Sequence, residues 1–267
     1  MPLAAGLYFH LAAGGAVETP PVVLLHGIGG MHLLWSPQIR RLPGYRTYAL
    51  DLPGHGKSAQ GGGVQTIESY AEQILSWMEA VHLPRAVIVG HSMGGAVALA
   101  LGIRHPECVL GLGLLSTASH FSFPPDLLAD AATPTTFYKA IMSLVSWSFG
   151  SASSKELLEQ VTNRLSEARQ SVFYGDLLAC ERFDCTERLA GIRLPVLILC
   201  GAEDHLTPPR SSQLMTRAIP GAILEVIPQS GHMLIVEQPT EVANHLTAFI
   251  KRIPYPAGEV NWYVSGD

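Results

Sequence analysis

The chain has 267 residues, 48% of them hydrophobic and only 15% charged, with a net charge of −5. That length suits one large α/β domain or two small ones, and the apolar content allows a sizeable buried core. The lack of a basic block argues against a nucleic-acid partner, and no apolar run reaches the ~18 residues of a membrane span.

The apolar N-terminal stretch has no Lys or Arg before it. It therefore does not read as a secretory leader, and a cytoplasmic protein is expected. Cys108, Cys180, Cys185 and Cys200 show neither metal nor disulfide spacing and read as reduced packing residues, with Cys180 and Cys185 the one close pair. No metal or cofactor is expected, and nothing in the sequence speaks to oligomeric state.

Leu7 to Leu11 reads as an edge strand and Gly14-Gly15 as a turn. Val22 to Leu25 is a short continuous apolar run after Pro20-Pro21, the pattern of a strand buried on both faces. The loop His26-Gly27-Ile28-Gly29-Gly30 follows, then a helix expected over 33–42. Arg46 to Leu50 is the next strand and runs into Asp51-Leu52-Pro53-Gly54-His55-Gly56-Lys57-Ser58, where Pro-Gly marks a tight turn. Gln60 to Gln65, with three consecutive glycines, reads as a mobile loop. Ile67, Tyr70, Ile74, Trp77, Met78 and Val81 recur at helical spacing.

The stretch Val87-Ile88-Val89-Gly90-His91-Ser92-Met93-Gly94-Gly95-Ala96 organises the rest. A β-branched run ends in glycine, and an Ala- and Leu-rich helix starts just beyond the serine, running to about His105. Ser92 thus sits where a strand turns sharply into a helix. Such a turn strains the backbone and brings strand and helix together, and flanking glycines remove the Cβ atoms that would collide. This is the G-x-S-x-G nucleophile elbow. Val109 to Leu115 is a further strand.

Strand–helix alternation breaks between Ser116 and Asp184. Helical patterns fill that stretch: Phe137, Ile141, Leu144 with Trp147 or Ser148, then Leu157, Leu158, Val161 and Leu165, with Ser153 and Glu156 as a capping box before the second. Alternation resumes with a strand over 195–200, a helix over 210–218, a strand over 223–227 and a helix over 236–251. The expected architecture is α/β: a doubly wound, mostly parallel sheet with a helical insertion near the carboxyl edge, where ligands bind. The core is expected over 1–116 and 187–253, the insertion over 117–186, and a peripheral tail over 254–267.

A serine hydroxyl needs a base, and the base a carboxylate to orient it. Asp204 follows the strand 195–200, and His232 follows the strand 223–227. All three groups lie beyond strand carboxyl ends, in the order Ser92, Asp204, His232 expected for an elbow nucleophile. Glu203 remains an alternative acid and His205 an alternative base. His26, His55 and His91 flank glycine turns and read as scaffold residues, as does Asp51.

At His26-Gly27-Ile28-Gly29, Asp51 to Ser58, Gly90 to Gly94, Gly201-Ala202-Glu203-Asp204 and Ser230-Gly231-His232, taken in order, the chain resembles the α/β-hydrolase superfamily over essentially its whole length. The resemblance implies that the doubly wound sheet has eight strands, and it implies a triad of Ser92, His232 and Asp204. It also implies an oxyanion hole from the backbone N–H groups of Ile28 and Met93, and an insertion that acts as a cap over the pocket. Relatives that dehalogenate alkanes or open epoxides carry a carboxylate at the elbow, and this chain has a hydroxyl.

The insertion is rich in apolar residues, and Phe123, Phe137, Met142 and Trp147 are expected at the substrate. That suits hydrolysis of small to medium uncharged acyl esters, with a small-molecule ester and water as the only partners. Carbon–carbon or enol-lactone hydrolysis is the alternative, and it would call for a cation such as Arg182, Arg188 or Arg210. Cofactor-free perhydrolase or haloperoxidase chemistry, or a ligand receptor, completes the alternatives.

Overall fold

The computed structural model describes residues 2–16, 18–59 and 65–255. Apolar runs punctuated by glycine and proline make the strands: β1 (Leu3–Ala4), β2 (Leu7–Ala13), β3 (Val22–Leu25), β4 (Arg46–Leu50), β5 (Ala86–His91), β6 (Val109–Leu115), β7 (Val196–Gly201) and β8 (Ile223–Ile227). They form one sheet of order β1-β2-β4-β3-β5-β6-β7-β8. The β1–β2 and β2–β4 pairs are antiparallel, and all later pairs are parallel. The edge expected of Leu7 to Leu11 is instead occupied by β1, so β2 is paired on both sides.

The central strands are apolar on both faces because both faces are covered. Val23, Leu25, Ile88, Leu112, Leu114 and Ile198 join the core on one side. Val22, Leu24, Val87, Val89, Leu197 and Leu199 join the core on the other, at the alternation a strand imposes. The helices are α1 (Pro37–Arg40), α2 (Ile67–Ala80), α3 (Met93–Arg104), α4 (Pro125–Ala131), α5 (Phe137–Ser148), α6 (Lys155–Ser166), α7 (Gln170–Arg182), α8 (Pro209–Ala218), α9 (Leu234–Glu237) and α10 (Pro239–Ile250). Buried residues of α2 and α3 pack on the first side, and those of α1, α9 and α10 on the second.

Proline accounts for two departures from the sequence expectation. The single helix over 33–42 is a 3-10 turn at His32–Leu34 followed by the one-turn α1. Ser36 precedes Pro37 and is held extended, at φ −56°, ψ 153°, as residues before proline are. The helix over 236–251 is likewise split at Gln238, before Pro239. In the insertion, α4 and α7 were not expected. The cap of α6 is Ser154, whose side chain accepts the Leu157 amide, while the expected cap Ser153 bonds Glu237 instead. The ends of the insertion meet at a bridge between His120 and Asp184. The glycine loop at 61–63 and most of the tail, 256–267, lie outside the described residues. Among the described residues no helix is long and apolar enough to cross a membrane.

The sheet order reverses direction between β3 and β5. Crevices for ligands open beyond the carboxyl ends of strands at such a reversal. Ile28 follows β3, Ser92 follows β5, Asp204 follows β7 and His232 follows β8.

Candidate active site

Ser92 occupies a backbone conformation that side chains avoid, φ 54°, ψ −120°. Strain of that kind costs on the order of 1–3 kcal/mol and persists only where surroundings enforce it. Here they do. The Ser92 amide donates to the Leu115 carbonyl at 2.9 Å, and the Ser92 carbonyl accepts from the Thr117 hydroxyl at 2.8 Å and the Gly95 amide at 2.8 Å. A Cβ at position 90 would collide with the Gly94 carbonyl, and one at 94 with the Leu25 carbonyl, so both positions require glycine. The Met93 amide is the first N–H of α3, one of the donors without an intrahelical acceptor, at the positive end of the helix dipole.

Asp204 and His232 approach across the loops after β7 and β8. His232 Nδ1 lies 3.0 Å from Asp204 Oδ2. The remaining lone pairs of the carboxylate are also used: Oδ1 accepts the amides of Leu206 and Thr207, each at 2.9 Å, and Oδ2 accepts the Thr207 hydroxyl at 2.8 Å. Burial alone would raise the Asp204 carboxyl, but the charge and ring N–H of His232, with the Thr207 amide and hydroxyl, outweigh it and hold it below the usual carboxylate range. With Nδ1 donating to Asp204, the second ring nitrogen of His232 is free to accept a proton. The His232 carbonyl is held by His91 Nε2 at 2.8 Å. The loop after β8 is tied to the insertion as well, because Glu237 accepts the amides of Gly231 (2.9 Å) and Gly150 (2.8 Å).

The loop after β3 is a turn closed by Gly30 N–H on the Gly27 carbonyl at 3.0 Å. His26 sets it. Its Nε2 accepts the Leu52 amide at 3.0 Å, so Nδ1 carries the proton and donates to the same Gly27 carbonyl at 2.8 Å. With the carbonyl of the Gly27–Ile28 peptide held from two sides, the Ile28 N–H on its opposite edge is fixed in direction. Burial, then the neighbouring His55 charge, lowers the His26 pKa to about 4, so this ring stays neutral.

Ser92, His232, Ile28 and Thr207 line one cavity. Its apolar wall comes from Phe121, Phe123, Leu144, Val145, Val161 and Leu165 of the insertion. The free volume is about 30 Å³, small beside the ~150 Å³ that holds a benzene-sized ligand. Of the four residues expected at the substrate, only Phe123 lines it. α5 turns Leu144, Val145 and Ser148 to the cavity. Phe137 instead packs edge-on against Phe173 at 5.3 Å, Met142 is 46% exposed, and Trp147 is partly buried against the core away from the cavity. None of the lining residues is Arg or Lys, and Arg182, Arg188 and Arg210 are exposed.

The other candidates are placed elsewhere. Glu203 accepts the Ser151 amide at 2.7 Å, joining the loop after β7 to the insertion, and His205 is exposed. Asp51 accepts the His32 amide and ring and the Lys57 amide, pinning its own loop. Thr207 and Glu237 were missed by sequence reasoning. Thr207 carries a local signal, since a Thr three residues after an Asp at a strand end is within reach of that carboxylate. Glu237 carries none, because the amides it binds belong to other loops.

Comparison with known proteins gives a consistent family. A family model described as "Alpha/beta hydrolase family" matches residues 22–245. A protein of Caulobacter sp. (strain K31) named "Putative carbamate hydrolase RutD" is 30% identical over 245 residues, 88% of this chain and 91% of its own length. A pimeloyl-[acyl-carrier protein] methyl ester esterase of Vibrio vulnificus (strain YJ016) is 28% identical over 253 residues, 87% of this chain and 94% of its own. Among solved structures, one of a thermophilic esterase superposes with a TM-score of 0.80 at 32% identity, covering 94% of this chain and 96% of that one.

Proposed function

The chain belongs to the alpha/beta hydrolase family, and from that premise we propose that it is a serine hydrolase of carboxylic esters with small, uncharged acyl groups. Ser92 is the nucleophile, His232 the general base and Asp204 the residue that orients it. One observation carries the reading: His232 Nδ1 meets Asp204 Oδ2 at 3.0 Å while the same ring and Ser92 line one cavity.

The chemistry is acyl transfer in two steps. His232 takes the proton of Ser92 as the hydroxyl oxygen attacks the ester carbonyl. Asp204 fixes the ring tautomer and stabilises the imidazolium. The N–H groups of Ile28 and Met93 receive the oxyanion, each such donor typically lowering the barrier by ~3–4 kcal/mol. His232 then protonates the leaving alcohol, and water repeats the sequence on the acyl-enzyme. Residues 117–186 serve as the cap, whose apolar side chains exclude water from the acyl group.

The small free volume favours short acyl chains, and the absence of Arg or Lys among its lining residues disfavours the anionic substrates of ring-fission hydrolysis. The name of the Caulobacter relative favours a second substrate class, carbamates, on the same residues. A series of nitrophenyl esters from acetyl to octanoyl, with a nitrophenyl carbamate alongside, tests the proposal. Turnover fastest on acetate and lost in Ser92→Ala is expected. An Ser92→Ala protein that still turns over, or a wild type inert to every ester and to an active-site phosphonate, overturns it.

A further inference from the structure

α7 carries a carboxylate that the hydrolytic reading does not use. Asp176 is fully buried, and a buried carboxylate requires donors and a counter-charge. It has both, from three separate core segments. Oδ2 accepts the Gly29 amide at 3.0 Å and His55 Nε2 at 2.8 Å. Oδ1 accepts the Tyr70 hydroxyl at 2.6 Å and the Gln65 side-chain amide at 3.3 Å.

The counter-charge is His55. Its Nδ1 faces the Pro53 carbonyl at 3.0 Å and its Nε2 faces Asp176. Both partners only accept, so both ring nitrogens carry protons. The packing around the pair is close. A Cβ on Gly29 would lie 2.6 Å from Phe173, and one on Gly54 would lie 3.1 Å from Val172, so α7 is seated directly on the loops after β3 and β4.

We propose that Asp176 is a positioning residue for the oxyanion donor, acting through Gly29 on the N–H of Ile28. Gly30 N–H closes the turn onto Gly27, and Gly29 at its third position has φ +62°. Glycine leaves that conformation freely, and the central peptide that would then rotate is attached to Ile28, so its rotation shifts the geometry at the Ile28 Cα. That peptide joins Ile28 to Gly29, and Asp176 holds its N–H. Flipping would bring the Ile28 carbonyl against the carboxylate, two acceptors face to face. Ile28 is therefore clamped on both sides, through the Gly27 carbonyl by His26 and through the Gly29 amide by Asp176. In a loop with three glycines the local chain supplies only the Gly27 side of that clamp, and the Gly29 side comes from α7.

The inference rests on the reading of Ser92 as nucleophile and Ile28 as oxyanion donor. Its test compares full-length Asp176→Asn and Asp176→Ala with wild type. The readouts are kcat and KM on nitrophenyl acetate, affinity for a trifluoromethyl ketone whose adduct bears the oxyanion, and amide hydrogen exchange over residues 27–30. The expected result for Asp176→Asn is a loss of about tenfold in kcat with KM changed less than about twofold, a parallel loss of ketone affinity, and faster exchange in the turn. Asp176→Ala, if it folds, loses more, because the Asn side-chain oxygen still accepts the Gly29 amide. A folded Asp176→Asn with wild-type kcat and exchange overturns the role. So does a variant in which melting temperature falls and KM rises while kcat stands, because that is the signature of α7 docking alone. A wild type that neither hydrolyses esters nor reacts with a phosphonate overturns the reading of Ser92 and this role with it. That result is distinct from an active wild type whose Asp176→Asn variant keeps its kcat.

Discussion

His91, the residue before the elbow serine, donates its Nε2–H to the main-chain oxygen of His232 at 2.8 Å. The two rings stand 5.0 Å apart at 56°. The strand that leads to Ser92 and the loop that carries His232 are thus joined at the backbone as well as across the cavity. A ring that donates from Nε2 with its Nδ1 buried and unpartnered is a neutral imidazole. Burial, reinforced by the charge of His232, lowers its pKa to about 3.

His91 and His26 make stability fall with acid. Both titrate in the fold well below the ordinary 6.5, at about 3 and about 4. Below 6.5 the unfolded chain binds protons that the folded chain refuses, so stability rises with pH across that window and is lost as pH falls through it. Each group contributes a slope of up to about 1.4 kcal/mol per pH unit. His55 acts in the opposite sense. Its pKa is raised by Asp176 against the effect of burial, so its contribution is present in acid and fades as pH climbs past its folded value. Denaturant melts between pH 6.5 and 4 should show a steep loss of stability, and a flat profile there would contradict the neutral assignment of both rings.

Ser92→Gly and Ser92→Ala should both be inactive, yet differ in stability. Ala keeps a Cβ in the strained conformation at φ 54°, whereas Gly adopts it freely. The glycine variant is expected to be more stable than the alanine variant by about 1 kcal/mol, even though glycine elsewhere in a chain destabilises. Paired thermal melts decide it. An alanine variant at least as stable as the glycine one would mean the elbow is unstrained.

What was legible in the sequence follows from which signals are local. The strands before Ser92 and Asp204 announce themselves as apolar runs ending at glycine, because strands covered on both faces need no polar alternation. The strand before His232 is the half-exposed edge β8, legible from Ile223, Leu224, Val226 and Ile227 around Glu225. Apolar spacing predicts one helix over 33–42, but Pro37 holds Ser36 extended and divides it. Phe137, Met142 and Trp147 share α5 with the residues at the cavity but lie on other faces of it, and the sequence pattern does not distinguish those apolar faces. Only the neighbouring helices decide that Leu144 and Val145 face inward. Asp176 was invisible for a different reason: Gly29, Tyr70 and His55 lie 147, 106 and 121 residues away in sequence.

Thr207 should matter to the candidate base through Asp204. Its hydroxyl donates to Asp204 Oδ2 at 2.8 Å and lies 3.2 Å from His232 Nδ1. Thr207→Val keeps the shape and removes the hydroxyl. A hydrogen bond to a charged group is worth about 1.5–3 kcal/mol, so Asp204 titrates higher and kcat/KM falls by about tenfold. Thr207→Ser should recover most of the loss. Full activity in the valine variant would show that the Thr207 amide and the imidazole suffice to hold the carboxylate.

Leu144 is expected to set the acyl length the cavity admits. It lines the cavity from α5 and is 7% exposed. Leu144→Ala opens space beside Ser92 at a stability cost of about 2–5 kcal/mol, the usual range for a buried leucine. Each methylene newly buried by a longer acyl chain is worth about 0.8 kcal/mol, close to fourfold in kcat/KM. The butanoate-to-acetate and hexanoate-to-acetate ratios should therefore rise stepwise until the space is filled. Met142→Ala, on the exposed side of the same helix, should leave both ratios unchanged. If Leu144→Ala shifts neither ratio, the acyl group lies along a different wall. If Met142→Ala shifts them as much, α5 acts by moving as a whole, and the side chain at 144 is not what measures the chain.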